Sequence, residues 1–457
     1  MTDAHRYAAQ NYEHFKNNWL ELLRIPSVST DPAFAADLRR AAEWLVEKMK
    51  AIGLTAEAID MPEGRHPMIL GSWDGAGPDA KTVLIYSHYD VQPAVIEDGW
   101  KSDPFEPVEQ DDFIYARGAT DSKIHVISQL SAIESLLKTN TCPVNLRILF
   151  EGEEESGGET IGAFITQHPE RVKADVAVIS DGGIVAPDQP SLCYGLRGIV
   201  TFEMHLEGPK RDLHSGHWGG SVHNPAQALT EIISQLHDSE GQVNVPGFYD
   251  QVRSLDNAER EVMKGNLPWL QSEYQDVTAA PAPWGESDYT LHEKVGARPT
   301  LEVNGISSGY TGPGFKTVLP SRALAKISCR LVPDQDPRVI IQSVTEYIRQ
   351  ITPRTMRISF ENIDYGRPAL LLDRNTPAMR AAAEGYTHGW GKEPIYERAG
   401  GSVPIAYDLK DVCDNVVIMG FSYRGGGAHG PNEHARLSMF RQGIDAAIAF
   451  IHTFAKQ

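Results

Sequence analysis

Cysteine is scarce in this chain. Cys142, Cys193, Cys329 and Cys413 are the only four in 457 residues, they lie far apart, and no two form a CxxC pair. Neither a disulfide framework nor a structural zinc knuckle is suggested; Cys193 and Cys329 sit in apolar segments and read as small core residues. No uncharged apolar run approaches the roughly 18 residues that a membrane span needs. The N-terminal stretch Met1-Thr2-Asp3-Ala4-His5-Arg6 lacks the basic-then-apolar plan of a signal peptide. Positive charge is also short: 42 basic residues against 61 acidic ones leave a net charge of -19, which argues against a nucleic-acid or anionic-membrane surface. No internal repeat or low-complexity tract stands out. These absences leave the expectation of a soluble, cytoplasmic protein. Hydrophobic residues at 41% and charged residues at 23% are ordinary globular values, and the length predicts two domains with a large core.

Patterning predicts an α/β fold. Up to about residue 200, helical periods (Tyr12 to Leu23, Arg39 to Ile52, Val126 to Leu137) alternate with apolar runs near Ile69, Leu84, Ile148 and Val178. That βαβ rhythm predicts a mostly parallel sheet covered by helices. The middle alternates instead, in Thr201–Leu206 and Ala323–Leu331, like half-exposed antiparallel strands. With helical patterns at Pro225 to Leu236 and Pro337 to Ile351, it predicts a compact α+β domain of two helices on an antiparallel sheet. Leu267 to Pro299, with prolines, tryptophans and no clear period, reads as a long irregular excursion. Helix–strand alternation returns from about Thr376 in Ala378 to Tyr386, Val416 to Met419 and Arg441 to Ala455. The small domain, taken as 204–381, is therefore an insertion into a larger, discontinuous domain of 1–203 and 382–457.

The strand ends carry the chemistry. The apolar run Val144–Phe150 passes abruptly into Glu151-Gly152-Glu153-Glu154-Glu155-Ser156-Gly157-Gly158. Clustered carboxylates raise one another's pKa unless a cation or proton compensates. A solvated acidic loop is the ordinary reading of such a run, but ligands of open α/β sheets bind outside the carboxyl ends of the strands. Other apolar runs end in Ser87-His88-Tyr89-Asp90 and in Asp181-Gly182-Gly183, and a glycine-rich loop leads to Ala428-His429-Gly430-Pro431-Asn432-Glu433. Asp121 follows a turn that enters a helix. Singly, each is a turn former or cap; together they form a mixed N/O ligand set.

Two imidazoles and three carboxylates suit Zn²⁺ first, with Mn²⁺ or Co²⁺ as alternatives. Five ligands are too many for one open site and fit two ions that share a bridging carboxylate, roughly 3.5–4 Å apart. Glu154 and Glu155 are adjacent and diverge, so one can ligate while the other faces the water, with Gly152 permitting the turn between them and the strand. Asp90 is placed to accept the second N–H of His88.

The chain resembles the M20 family of di-metal exopeptidases and amidohydrolases, in particular its carnosine-dipeptidase-like branch. The resemblance runs nearly end to end through Ser87–Pro93, Arg117–Lys123, Glu151–Gly157, Asp212–Gly216, Lys316–Pro320, Arg330–Asp334, Gly400–Pro404 and Ala428–Glu433. It implies His88 and Asp181 on one metal, Glu155 and His429 on the other, Asp121 bridging, Glu154 as general base and Asp90 orienting His88. It further implies that the insertion is a lid and dimerisation domain. His214 and Thr317 would act on the partner subunit's site, His214 on the oxyanion, and Arg330 would clamp the substrate's terminal carboxylate beside the Gly401-Ser402 turn. Apart from the resemblance, Arg330 reads as a surface ion pair in a lid strand and His214 as a turn histidine. His5, His217, His223 and His452 read as surface or packing residues. Two departures stand out. Glu153 replaces an apolar residue of carnosine-type relatives, and Asp373–Pro377 lacks their histidine, which argues against a preference for carnosine itself.

The leading expectation is a homodimeric, metal-dependent dipeptidase or short-peptide exopeptidase. An N-acyl- or N-carbamoyl-amino-acid amidohydrolase would use the same residues. A catalytically dead scaffold is the rival from another class, and the intact ligand set with Glu154 argues against it.

Overall fold

The computed structural model describes residues 2–265 and 267–457. The chain forms two compact units. One runs to Tyr194 and adds Leu372–Tyr396 and Pro404–Gln457; the other is Gly195–Leu371 with Glu397–Val403.

These limits fall at 194/195 and 371/372 rather than at 203/204 and 381/382, for reasons of pairing and packing. The strand Gly198–Glu207 pairs along its whole length with Arg322–Leu331, from Gly198↔Leu331 to Glu207↔Arg322, so it belongs entirely to the second unit. The helix Pro377–Trp390 belongs to the first unit because it packs on the terminal helix Leu437–Phe454. A β-carbon on Gly385 or Gly389 would stand 2.8 Å from the Ala446 carbonyl or 2.5 Å from that of Gln442, so only glycine permits this approach. Residues 397–403 join the second unit because Arg197 donates its amide to the Gly401 carbonyl at 3.1 Å and its Nε to that of Gly400 at 2.9 Å.

The first unit is built on a mixed sheet in the order Thr55–Ile59, Met68–Trp73, Asn145–Glu151, Thr82–His88, Val176–Ile179, Val416–Ile418. Its centre is parallel, as the βαβ rhythm requires. Its flanks are antiparallel: Thr55–Ile59 on Met68–Trp73, Met68–Trp73 on Asn145–Glu151, and Ile418 beside Cys193. The central strands are buried on both faces, which is why they read as continuous apolar runs and not as alternations. The helix Lys123–Lys138 is buried from Lys123 to Leu136. In the parallel register His88 stands level with Glu151, so one imidazole and the whole acidic run emerge at the same sheet edge.

The second unit has a four-stranded antiparallel sheet in the order Thr300–Ser308, Arg322–Leu331, Gly198–Glu207, Arg357–Asp364. Burial alternates along Gly198–Glu207. Its inward Phe202 and Met204, with Ile327 of the neighbouring strand, share one core with Leu229 of the helix Pro225–Ile233 and with Val344 and Ile348 of Pro337–Ile351. The stretch expected to be irregular contains two helices, Leu267–Thr278 and Leu291–Ala297. The second is started by a capping box, in which the Thr290 amide donates to Glu293 and the Glu293 amide to Thr290 Oγ1. No helix among the described residues is long and apolar enough to cross a membrane.

Candidate metal centre

All seven groups expected to bind metal, orient a ligand or move a proton lie in the first unit, and five of them converge. His88 ends its strand fully buried, with Nε2 3.1 Å from Asp121 Oδ1 and 3.7 Å from Asp181 Oδ1. His429 Nε2 lies 3.1 Å from Asp121 Oδ2 and 3.1 Å from Glu155 Oε2. Two donor sets result, His88–Asp121–Asp181 and Asp121–Glu155–His429, each with its ligand atoms within 4.8 Å of one another. Asp121 belongs to both and offers a different oxygen to each imidazole. It sits at the mouth of the helix Lys123–Lys138, and the Asp121–Ser122 peptide bond is cis.

Surrounding hydrogen bonds hold these donors. Asp90 lies against Nδ1 of His88, its carbonyl at 3.1 Å and its carboxylate at 3.3 Å. The second carboxylate oxygen of Asp90 accepts from Ser29 Oγ at 2.6 Å and from the Glu155 amide at 3.0 Å. One aspartate thus ties the two donor sets together. Gln92 Nε2 donates to Glu155 Oε2 at 2.8 Å. Ser29 and Gln92 carried no signal of these contacts in the sequence, because each is an ordinary polar residue until folding places it.

Electrostatics show what the cage requires. Burial disfavours charge on His88, but hydrogen bonds to Asp121, Asp181 and Asp90 outweigh it and hold the imidazole well above its usual range. His429 is raised to about 10 by Asp121 and Glu155. Burial opposes charge on Asp121 as well, yet the His429 and His88 imidazoles hold its carboxyl well below the usual carboxylate range. The cluster draws positive charge to itself. A pair of divalent cations would supply it and leave the histidines neutral, as ligands must be. The donor set fits the group.

The acidic run divides further. Glu154 and Glu155 lie in the 3₁₀ turn Glu154–Ser156. The Glu154 carboxylate accepts no hydrogen bond among the described residues. Burial pushes it up to about 8, with Asp181, Glu155 and Asp90 adding to the rise and His88 opposing it. Glu151 is buried, accepts from Tyr86 Oη at 2.6 Å, and is likewise pushed up to about 8 by burial. Glu153 is buried and fastens the loop: it accepts from the His66 amide at 2.8 Å and from Thr160 Oγ1. Gly152 does not occupy the left-handed region. The expectation that it is needed for a turn is corrected: it is needed for space, since a β-carbon there would stand 2.9 Å from the Pro67 carbonyl and collide with the Tyr89 hydroxyl.

The remaining candidates lie in the second unit. His214 ends a two-residue strand paired with Val318-Leu319, accepts from the Gly216 amide at 3.0 Å and stacks on His217 with centroids 4.5 Å apart. Thr317 is brought beside it, its carbonyl accepting from the Ser215 amide at 3.0 Å. Arg330 is half-buried, one residue from the end of the strand Arg322–Leu331, between Ile199 and Thr300. It forms no ion pair among the described residues, so the surface-pair reading does not hold. Together with Arg197, His237 and Glu302 it lines a cavity of about 450 Å³. Arg197, bonded to the turn that holds Gly401 and Ser402, is lowered to about 10 by burial and by the neighbouring Arg330 charge.

The chain is similar to known proteins along nearly its whole length. A family model described as Peptidase family M20/M25/M40 matches residues 84–453. The chain is 32% identical over 461 positions to the Cys-Gly metallodipeptidase dug1 of Schizosaccharomyces pombe, covering 97% of this chain and 96% of that protein. It is 30% identical over 469 positions to the Beta-Ala-His dipeptidase of Mus musculus, with 99% and 95% covered. Human carnosine dipeptidase 1 superimposes with a TM-score of 0.83 at 27% identity, covering 99% of this chain and 98% of that one.

Proposed function

The chain belongs to peptidase family M20/M25/M40, and from that premise we propose that it is a metal-dependent dipeptidase. It cleaves the amide bond of dipeptides or short peptides that end in a free carboxylate. The observation that carries this reading is the sharing of Asp121 between two donor sets. Similarity to proteins named as dipeptidases supports the substrate class.

His88, Asp121 and Asp181 would hold one divalent ion, and Asp121, Glu155 and His429 the other. The mixed N/O set suits Zn²⁺ first, with Mn²⁺ and Co²⁺ as alternatives. When bound, such an ion pair polarises a carbonyl oxygen and acidifies water. Asp90 keeps His88 oriented through Nδ1, and Gln92 keeps Glu155 in place.

Glu154 moves the proton. With cations held in the cage, the Glu154 anion would be stabilised against the burial that raises it, which would bring the carboxylate into the range of a base at neutral pH. It takes a proton from the attacking water as the new C–O bond forms. It then delivers that proton to the amine nitrogen as the C–N bond breaks, leaving a carboxylate and a free amine.

The second unit supplies recognition. Arg330, which forms no ion pair among the described residues, binds the terminal carboxylate, and the Gly401-Ser402 turn assists. His214 stabilises the oxyanion and Thr317 acts from the same side, both reaching the partner subunit's site in a homodimer. Exposed Trp218, Ile306, Tyr310 and Phe315 on this unit support a surface that a second subunit covers. The lack of disulfides among the described residues accords with a cytoplasmic location, and the net charge of -19 accords with a small peptide, not nucleic acid or a membrane, as the partner.

The test is a panel of dipeptides, N-acetyl amino acids and N-carbamoyl amino acids on protein loaded separately with Zn²⁺, Mn²⁺ and Co²⁺. Dipeptide turnover with at least one metal, abolished by a chelator, is expected. Cleavage of acylated amino acids alone would replace the dipeptidase reading by the deacylase one.

A further inference from the structure

Behind the donor cage lies an ion pair that solvent hardly reaches. Arg117 Nη1 is 2.7 Å from Glu433 Oε2, and the two side chains are 3% and 0% exposed. Such a pair stabilises a fold little by itself, because desolvation offsets the attraction. Its remaining bonds show a different use.

Glu433 Oε2 also accepts from the Gly118 amide at 3.0 Å. Its other oxygen accepts from the amides of Thr120 at 2.8 Å and Asp121 at 3.0 Å. Three backbone donors of the turn that presents Asp121 thus converge on one carboxylate. At the other end, Arg117 Nη2 donates to the His429 carbonyl at 3.2 Å and to that of Pro93 at 3.3 Å. The guanidinium lies over the Trp100 ring, 5.3 Å from its centroid. His429 is held at φ 62°, a left-handed conformation that is unfavourable for a non-glycine residue and persists only where its surroundings impose it. One partner therefore grips the segment carrying Asp121, and the other grips the segment carrying His429.

We propose that Arg117 and Glu433 are positioning residues that set the separation of Asp121 and His429, and so hold the Asp121–Glu155–His429 donor set to the geometry a divalent ion requires. The inference rests on the metal reading above. The opposite set depends on the pair less, because His88 is fixed by its strand and by Asp90, and Asp181 by the strand before it. Only the shared Asp121 links that set to the bracket.

The test uses the full chain with Glu433→Gln and Arg117→Lys. Glutamine turns an amide N–H₂ toward groups that themselves donate; lysine keeps the charge but loses the second donor to His429. After chelator treatment, each protein is titrated with Zn²⁺ by calorimetry, and the visible absorption of Co²⁺-loaded samples reports coordination. The parent is expected to bind two ions. The variants are expected to fold with a lowered melting temperature, since each leaves a buried charge with poorer partners, to keep one ion at parent-like affinity and to hold the second about 10–100-fold more weakly, the usual range for groups that orient ligands. Two parent-like ions in a folded variant would overturn the proposal, and so would equal weakening of both, which marks the pair as merely structural. Where Glu433→Gln fails to fold, Glu433→Asp is read in the same way, since it keeps the charge but withdraws it from the three amides. A parent that binds no ion overturns the metal reading itself, a failure distinguishable from that of the bracket.

Discussion

Gly152 and Tyr89 approach so closely that no other residue type fits at position 152 without displacing its neighbour. The Tyr89 hydroxyl donates to the Pro67 carbonyl at 2.5 Å, and a β-carbon on Gly152 would strike that hydroxyl. The Tyr89 amide donates to the Glu151 carbonyl at 2.9 Å. The end of the His88 strand is therefore laced to the start of the acidic run.

Gly152→Ala is expected to lower stability by about 1–3 kcal/mol, the range for an overpacked interior, and to reduce turnover, because Glu154 and Glu155 follow directly. Thermal unfolding and a dipeptide assay read both effects. A variant that melts and works like the parent would mean that Tyr89 yields without cost.

Glu154→Gln removes the proton carrier and leaves every donor of the two sets in place. It should keep both metal ions and the parent melting temperature while kcat falls by about 10²–10⁴-fold, the usual scale of general acid–base catalysis. Metal content and steady-state kinetics measured on one sample decide the matter. Near-parent turnover would move the base elsewhere.

His214→Ala and Glu154→Gln subunits, each inactive alone, should complement when mixed. In a heterodimer one site keeps its own Glu154 and receives the partner's His214. Activity is expected to recover to a fraction of the parent value. No recovery, with heterodimers verified by differential tagging, would place His214 in its own subunit's site or outside catalysis.

His5 sets a pH dependence of stability away from the site. It is 3% exposed, lies against His388 with ring centroids 4.3 Å apart and the planes tilted by 46°, and places its ring nitrogens near Thr2 Oγ1 and the Asp445 carbonyl. Burial lowers it from 6.5 to about 4; His388 and His452 add to the shift and the Asp445 carbonyl opposes it. Between these values the unfolded chain takes up the proton and the folded chain does not, so stability falls as pH drops from 6.5 towards 4. The shift corresponds to a loss of about 3 kcal/mol across that window. His5→Gln should flatten the melting temperature over the same range, and an unchanged slope would assign the acid sensitivity to other groups.

Much of this was readable along the chain, for a physical reason. Helical periodicity marked Tyr12–Leu23 and Pro337–Ile351, and apolar runs marked the central strands, because burial of one helix face or of both sheet faces imposes a local pattern. The donors were legible because metal chemistry admits few residue types, and here each follows a short apolar strand or opens a helix. The capping box Thr290–Glu293 was equally readable, but the prolines and tryptophans around it masked the helix it starts.

The sequence by itself determined the residue types at the sheet edge, and the neutralisation problem that four clustered carboxylates pose. Only the tertiary structure decided how that problem is divided. It turns Glu155 to His429, leaves the Glu154 carboxylate without a hydrogen bond among the described residues, fastens Glu153 to His66 and Thr160, and buries Glu151 against Tyr86. It also joins Arg117 to Glu433 across 316 positions. Such contacts leave no local period, because they are set by strand register and helix packing between distant segments, and a pattern read along the chain reports burial but not neighbours.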